Sequence, residues 1–203
     1  MLSQPKNILL LKTPKEERIF CAIHESGHAM ADHLLGYFIT SIVLDKKGNG
    51  KVVVCDNLKP LMYISKRATK SWDNLMDIKM KQFVFQNVSG YTSECKYRKI
   101  RFAGVPLYDE NNNANNDMNK ILITMCEANK ILMKKRFCEM WLFIQIENTK
   151  KIFRRKKVWN GINSLAKHIL KNNSRPIKGE KVHKILSKHI EFGKYDNDKI
   201  WNF

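Results

Sequence analysis

Five residues, His24-Glu25-Ser26-Gly27-His28, lie inside a proline-free segment that runs from Glu16 to Leu35. Apolar or small side chains recur there at Ile19, Phe20, Ile23, Gly27, Met30, Ala31 and Leu34, the three-and-four spacing of a helix with one buried face. Thr13-Pro14 supplies an N-cap followed by proline at the first helical position, and Gly36 supplies a stop, so the pattern predicts a helix over 15–36. On that helix His24 and His28 stand one turn apart on one face. Two imidazoles so placed can hold one Zn²⁺ at Zn–N distances of about 2.0–2.1 Å. Glu25 borders the same face and reads as a general base beside the metal, not as a ligand. Two histidines on an apolar face without this spacing would read as hydrogen-bonded core residues. The HExxH spacing on a helix reverses that reading.

Composition narrows what surrounds the motif. At 203 residues with 43% hydrophobic content, the chain predicts a single domain with a real core over 13–203, behind a flexible lead over 1–12. The net charge of +18 invites a nucleic-acid reading. The lysines, however, are spread along the whole chain, with no zinc-finger spacing and no RNA-recognition motif, which argues against nucleic acid as the partner. The densest run, Lys150-Lys151 and Arg154-Arg155-Lys156-Lys157, reads as a solvated helix face. Five scattered cysteines without a CxxC pair predict free thiols in a reducing cytoplasm. No apolar run approaches the roughly 20 residues needed to cross a bilayer, so no membrane insertion is expected. No GxxxxGK[ST] segment is present to bind ATP.

The expected fold is mainly α, a helical metallopeptidase domain with a small β-hairpin or sheet beside the zinc helix. Ile39–Leu44 and Lys51–Cys55 flank a Gly- and Asn-containing turn and predict a hairpin over 39–55. A helix is predicted over 71–96, capped by Ser71 and buried through Leu75, Ile78, Met80, Phe83, Val84 and Val88. A loop with five asparagines follows over 101–116, then a helix over 117–136. Phe137–Glu147 suits a buried helix or a short strand. Thr149–Leu170 predicts one amphipathic helix and 178–190 a short last one, so the C-terminal helices occupy 149–190. His33, five residues past His28, reads as a surface residue. Asp32, one turn past His28, is placed to orient an imidazole.

Several of these segments together resemble a known family. Ile23-His24-Glu25-Ser26-Gly27-His28-Ala29 is similar to the HEAGHA signature of the FtsH-type zinc metalloproteases. In that family a later helix ends in a Gly-Gly-Arg-Ala-Ala-Glu-Glu-like segment, where this chain has Ser89-Gly90-Tyr91-Thr92-Ser93-Glu94. An Asn-Asp-Leu-like segment then opens a further helix and gives the third zinc ligand, where this chain has Asn116-Asp117-Met118. The tail around Trp159–Leu170 and Ile177–Val182 follows the family order too. Tyr91 replaces the expected arginine, Cys95 replaces a second glutamate, and the membrane segments and AAA ATPase module have no counterpart in these residues.

The resemblance implies a zinc-dependent endopeptidase acting on unfolded or flexible polypeptides, with Glu25 as general base and His24, His28 and Asp117 as zinc ligands. Glu94 stands as the alternative third ligand or as a partner to a zinc histidine. Val52, Val53 and Val54 either bind substrate as an added strand or simply pack over the zinc helix. A separate ATPase and a homo-oligomeric ring are the partners that the family implies. A protease-like binding or regulatory module without hydrolytic activity is the alternative reading.

Overall fold

The computed structural model describes residues 13–45, 50–54, 70–99, 113–133, 136–172 and 174–195, the side chains of 70–74 and 113–116 excepted. The lead over 1–12, the hairpin turn over 46–49, Cys55, the side chain of the expected cap Ser71 and the loop residues 101–112 lie outside that description. The chain folds as expected into a mainly helical structure with a small antiparallel sheet.

Helix α1 spans Pro14–Leu35. Thr13 caps it: its Oγ1 accepts from the Glu16 N–H at 3.3 Å, and the Glu16 carboxylate accepts from the Thr13 N–H at 3.0 Å. Such a reciprocal cap satisfies two backbone N–H groups that the helix start would leave unpaired. Gly36 ends the helix at φ 78°, a left-handed conformation that favours glycine. Strands β1 (Ile39–Leu44) and β2 (Gly50–Val54) form the hairpin. A third strand, β3 (Ile177–Lys178), adds to β1 with Ile42 opposite Ile177, giving the order β2-β1-β3. Two residues are too short to show a periodicity, so the sequence pattern could not reveal it.

The remaining elements are α2 (Lys70–Arg98), α3 (Asn113–Ile131), α4 (Glu139–Arg154), α5 (Lys156–Lys171) and α6 (Gly179–Leu186). One core cluster joins α1, β1, α5 and α6 around Met30, Leu34, Ile42, Ile162 and Val182. A second joins α2, α3 and α4 around Met80, Val84, Ile121, Met125 and Ile146. Helices α1 and α2 bridge the two through small residues. A Cβ on Gly27 would run into Ser93 Oγ and the Ser89 carbonyl, so this residue sets how close the two helices come.

Four expectations need correction. Helix α3 starts at Asn113 and stops at Ile131, where the sequence pattern placed a loop over 101–116 and a helix over 117–136. Asn113–Asn116 form its first turn. At the other end Met133 adopts φ 52° and Asn129 folds back, its Oδ1 accepting from the N–H groups of Arg136 and Phe137. The amphipathic stretch 149–170 is not one helix but the end of α4 and all of α5, broken at Arg155, whose backbone is extended at ψ 130°. Leu142 and Ile146 on α4 pack into the second cluster, while Ile152 and Phe153 at its end join α5 in the first. Leu75 is 42% exposed and contributes little to the buried side of α2.

The fourth correction concerns His33, which is fully buried. Its Nε2 lies 3.0 Å from the Ile190 carbonyl, and its Nδ1 lies 3.0 Å from Nδ1 of His183. His183 Nε2 accepts from the Ile39 N–H at 3.1 Å. This chain fixes both tautomers. His183 must be Nδ1–H, because its Nε2 accepts, and His33 must be Nε2–H, because Ile190 offers only an acceptor. Both rings are therefore neutral, and the pair ties α1, α6 and the start of β1 together. Its distance from His28 in sequence gave no sign of this, because the partner lies 150 residues away.

Burial and the neighbouring His33 push the His183 imidazole down to about 4, and burial depresses His33 as well. An unfolded histidine titrates near 6.5. The stability this pair contributes is thus complete above that value and lost as pH falls toward the folded value. Urea titrations with chelator present, compared between about pH 7 and about pH 4.5, are expected to show a flatter profile for His183→Gln than for the wild type. Parallel profiles would show that the pair carries none of the acid sensitivity.

Candidate metal centre

Helix α1 delivers two donors and α3 the third. His24 Nε2 and His28 Nε2 are 3.0 Å apart, and Asp117 Oδ2 lies 3.5 Å from the first and 3.1 Å from the second. Three ligands bonded at about 2.1 Å in tetrahedral directions are about 3.4 Å from one another. The observed separations straddle that value, so the three groups can hold a metal ion together. Two imidazoles and one carboxylate leave a fourth direction free. This geometry selects Asp117 over Glu94 as the converging carboxylate.

Glu94 lies behind the site. Its Oε2 is 3.7 Å from Nδ1 of His24, the nitrogen that faces away from the other donors, and its Oε1 accepts from Arg98 at 2.8 Å. It steadies the outer edge of one ligand. The outer edge of His28 is held by backbone: Nδ1–H donates to the Gln86 carbonyl at 2.7 Å, which leaves Nε2 as the lone-pair nitrogen. The Gln86 side chain in turn donates to Asp32 Oδ1 at 2.5 Å. Asp32 thus neighbours His28 through Gln86 and interacts with it by charge, and burial raises its carboxyl to about 6. Lys120 donates to Asp117 Oδ1 at 2.9 Å, which leaves Oδ2 as the oxygen turned to the histidines.

Electrostatics favour a cation here. Burial alone would depress the His24 imidazole, but Asp117, Glu94 and Glu25 outweigh it and hold it up to about 10. Burial alone would raise Asp117, but the two imidazoles and Lys120 hold its carboxyl far below the usual carboxylate range.

Glu25 is buried and lies outside the set of converging donors, close enough to His24 to act on its charge. The start of β2 rests on it: a Cβ on Gly50 would collide with the Glu25 carboxyl group. Val52 and Val54 pack against the first core cluster, so the inner side of β2 is structural.

Three contributors escaped the sequence reading: Gly90, Gly50 and the Gln86 carbonyl. A Cβ on Gly90 would press on Nε2 of both histidines, so the cradle exists because residue 90 has no side chain. A signal was present. Gln86, Gly90 and Glu94 are spaced four apart, which puts them on one face of α2.

The chain matches no protein-family model and no curated protein. The metal reading therefore stands on these side chains alone.

Metal analysis of the purified chain and its variants tests the ligand set. Asp117→Ala is expected to lose bound metal, and Glu94→Ala to weaken binding by about 10- to 100-fold, the scale for an outer partner. Gly90→Ala should lose metal, because its methyl group would displace the Nε2 atoms of both histidines. Full metal content in Asp117→Ala, or in Gly90→Ala, would disprove the arrangement.

Proposed function

We propose that the protein is a zinc-dependent endopeptidase that hydrolyses unfolded or flexible polypeptides. The observation that carries this reading is the convergence of His24 Nε2, His28 Nε2 and Asp117 Oδ2, with the Glu25 carboxyl buried beside them and outside the donor set. The resemblance of Ile23–Ala29 and Asn116–Met118 to the FtsH-type proteases supports it further. Zinc, when held by these three residues, supplies a Lewis acid that polarises the scissile carbonyl and lowers the pKa of water toward about 7.

The chain's own residues do the rest. Glu25 takes the proton of the attacking water and passes it to the leaving amine. Its position is set by α1 and by the β2 backbone at Gly50, so the base cannot swing away from the imidazoles. Gln86 and Glu94 hold the two rings in one orientation. Among the described residues, β2 is an outer strand of the sheet and pairs with β1 alone. An extended polypeptide added along its open edge through main-chain hydrogen bonds would pass Gly50 and so reach Glu25. In this reading Val52, Val53 and Val54 present backbone to the substrate, while Val52 and Val54 anchor the strand on the core.

Glu25→Gln keeps the shape of the side chain and cannot accept the proton. It is expected to retain metal and fold while hydrolysis of an unstructured peptide drops at least about a hundredfold. Comparable turnover by the two proteins would rule out Glu25 as the base.

Peptide bonds in a folded domain are reached only through local or global opening, which costs up to about 5–15 kcal/mol. These residues contain no phosphate loop to drive that opening. A stable domain should therefore resist cleavage while its destabilised, unfolded mutant is digested. Digestion of the stable form faster than it unfolds would contradict the proposed substrate class.

A further inference from the structure

Helix α4 carries a face that the fold leaves open. Met140, Phe143 and Ile144 are 67%, 58% and 48% exposed on it. With 3.6 residues per turn, Met140, Phe143, Ile144, Glu147, Lys151 and Arg154 fall within an arc of about 100°. The opposite side, including Leu142, Ile146, Ile152 and Phe153, is buried. The open face is thus apolar over its first half and cationic over its second. The cationic half continues past the break at Arg155 into Lys156 and Lys157, both exposed.

Among the described residues, Lys151, Arg154, Lys156 and Lys157 have no carboxylate within salt-bridge distance. Glu147, the acid on the face, is engaged by Lys150 at 2.6 Å. The Arg155 guanidinium turns to the Tyr195 hydroxyl and ring. The first turn of α5 holds no acid, so Lys156 and Lys157 sit at the positive end of a helix, where cations are unfavourable. Folding does not reward this placement.

Single exposed apolar residues are ordinary, but Met140, Phe143 and Ile144 share one helix face, and a contiguous apolar group marks an interaction site.

We propose that this face docks the protein on an anionic lipid surface, with Met140, Phe143 and Ile144 entering the acyl boundary and Lys151, Arg154, Lys156 and Lys157 meeting the phosphate headgroups. A helix that is apolar and cationic on one side and packed on the other is the form that lies in a membrane interface. No described helix is long and apolar enough to cross a membrane, so the contact is peripheral. A nucleic acid would use the cations but gain nothing from Met140 and Ile144. A second copy would bring a like charge of +18 against the first. The inference is independent of the peptidase reading.

The test is co-sedimentation of the full chain with vesicles of phosphatidylcholine alone and of equimolar phosphatidylcholine and phosphatidylglycerol. Binding is expected to the anionic vesicles only and to weaken as salt rises. Phe143→Ser/Ile144→Ser should weaken it about tenfold through lost apolar burial. Arg154→Glu/Lys157→Glu should weaken it about tenfold or more through lost headgroup attraction. All four side chains are exposed, and unchanged melting temperatures would confirm that both variants remain folded. No binding to anionic vesicles overturns the proposal. So does vesicle binding that the serine pair leaves intact together with equally tight binding to duplex DNA, which would make the patch a general polyanion site. A dimer in sedimentation velocity that the serine pair disperses would assign the face to a second copy instead.

Discussion

The close approach of α1 and α2 is the constraint on which the site depends. Gly27 on α1 lies against Ser89 and Ser93, and Gly90 on α2 lies against both imidazoles. Neither contact tolerates a methyl group. Because the helices meet this closely, α2 can hold the outer edges of the two histidines: the Gln86 carbonyl takes His28 Nδ1–H, and Glu94 faces His24 Nδ1. Both Nε2 atoms are left pointing toward Asp117. A wider spacing would release the rings, and two rotatable side chains would lose the orientation that makes them a pair of ligands.

A second chain of contacts reaches Glu25 from the other end of the protein. Strand β2 rests on Glu25 at Gly50, β2 is paired to β1, and β1 is paired to β3. The start of β1 is held by His183, which is held by His33. At Gly179 the backbone of α6 comes so close to the Ile39 carbonyl that no side chain fits between them. The C-terminal third of the chain thus has a structural bearing on the candidate general base although it supplies none of the converging donors. That coupling is mechanical, through packing and backbone pairing, and it needs both imidazoles neutral.

Charge is distributed with the same asymmetry. Around the metal centre carboxylates outnumber cations, and Asp117, Glu94 and Glu25 together favour a bound positive charge. On the outer face of α4 and the start of α5 the balance is reversed. In a chain of net charge +18, carboxylates thus gather around the three converging donors, while cations predominate on the outer face of α4 and the start of α5.

Local pattern was enough for much of this protein. The helical period of Glu16–Leu35 and the spacing of His24 and His28 put two imidazoles on one turn, because neighbours three and four apart on a helix share a face whatever surrounds them. Thr13-Pro14 and Gly36 marked the ends of that helix for equally local reasons, and two strand-like runs around a turn marked the hairpin. The tertiary structure decided everything that depends on residues far apart in sequence. It chose Asp117 over Glu94, since both are carboxylates on helices and only their approach to the Nε2 side distinguishes them. It buried His33 against His183 and Ile190, broke the amphipathic stretch at Arg155, and turned Gly90 from an unremarkable helix residue into the floor of the site. A sequence encodes the period of a helix directly, but which of its faces comes within reach of which partner is settled only when the helices pack.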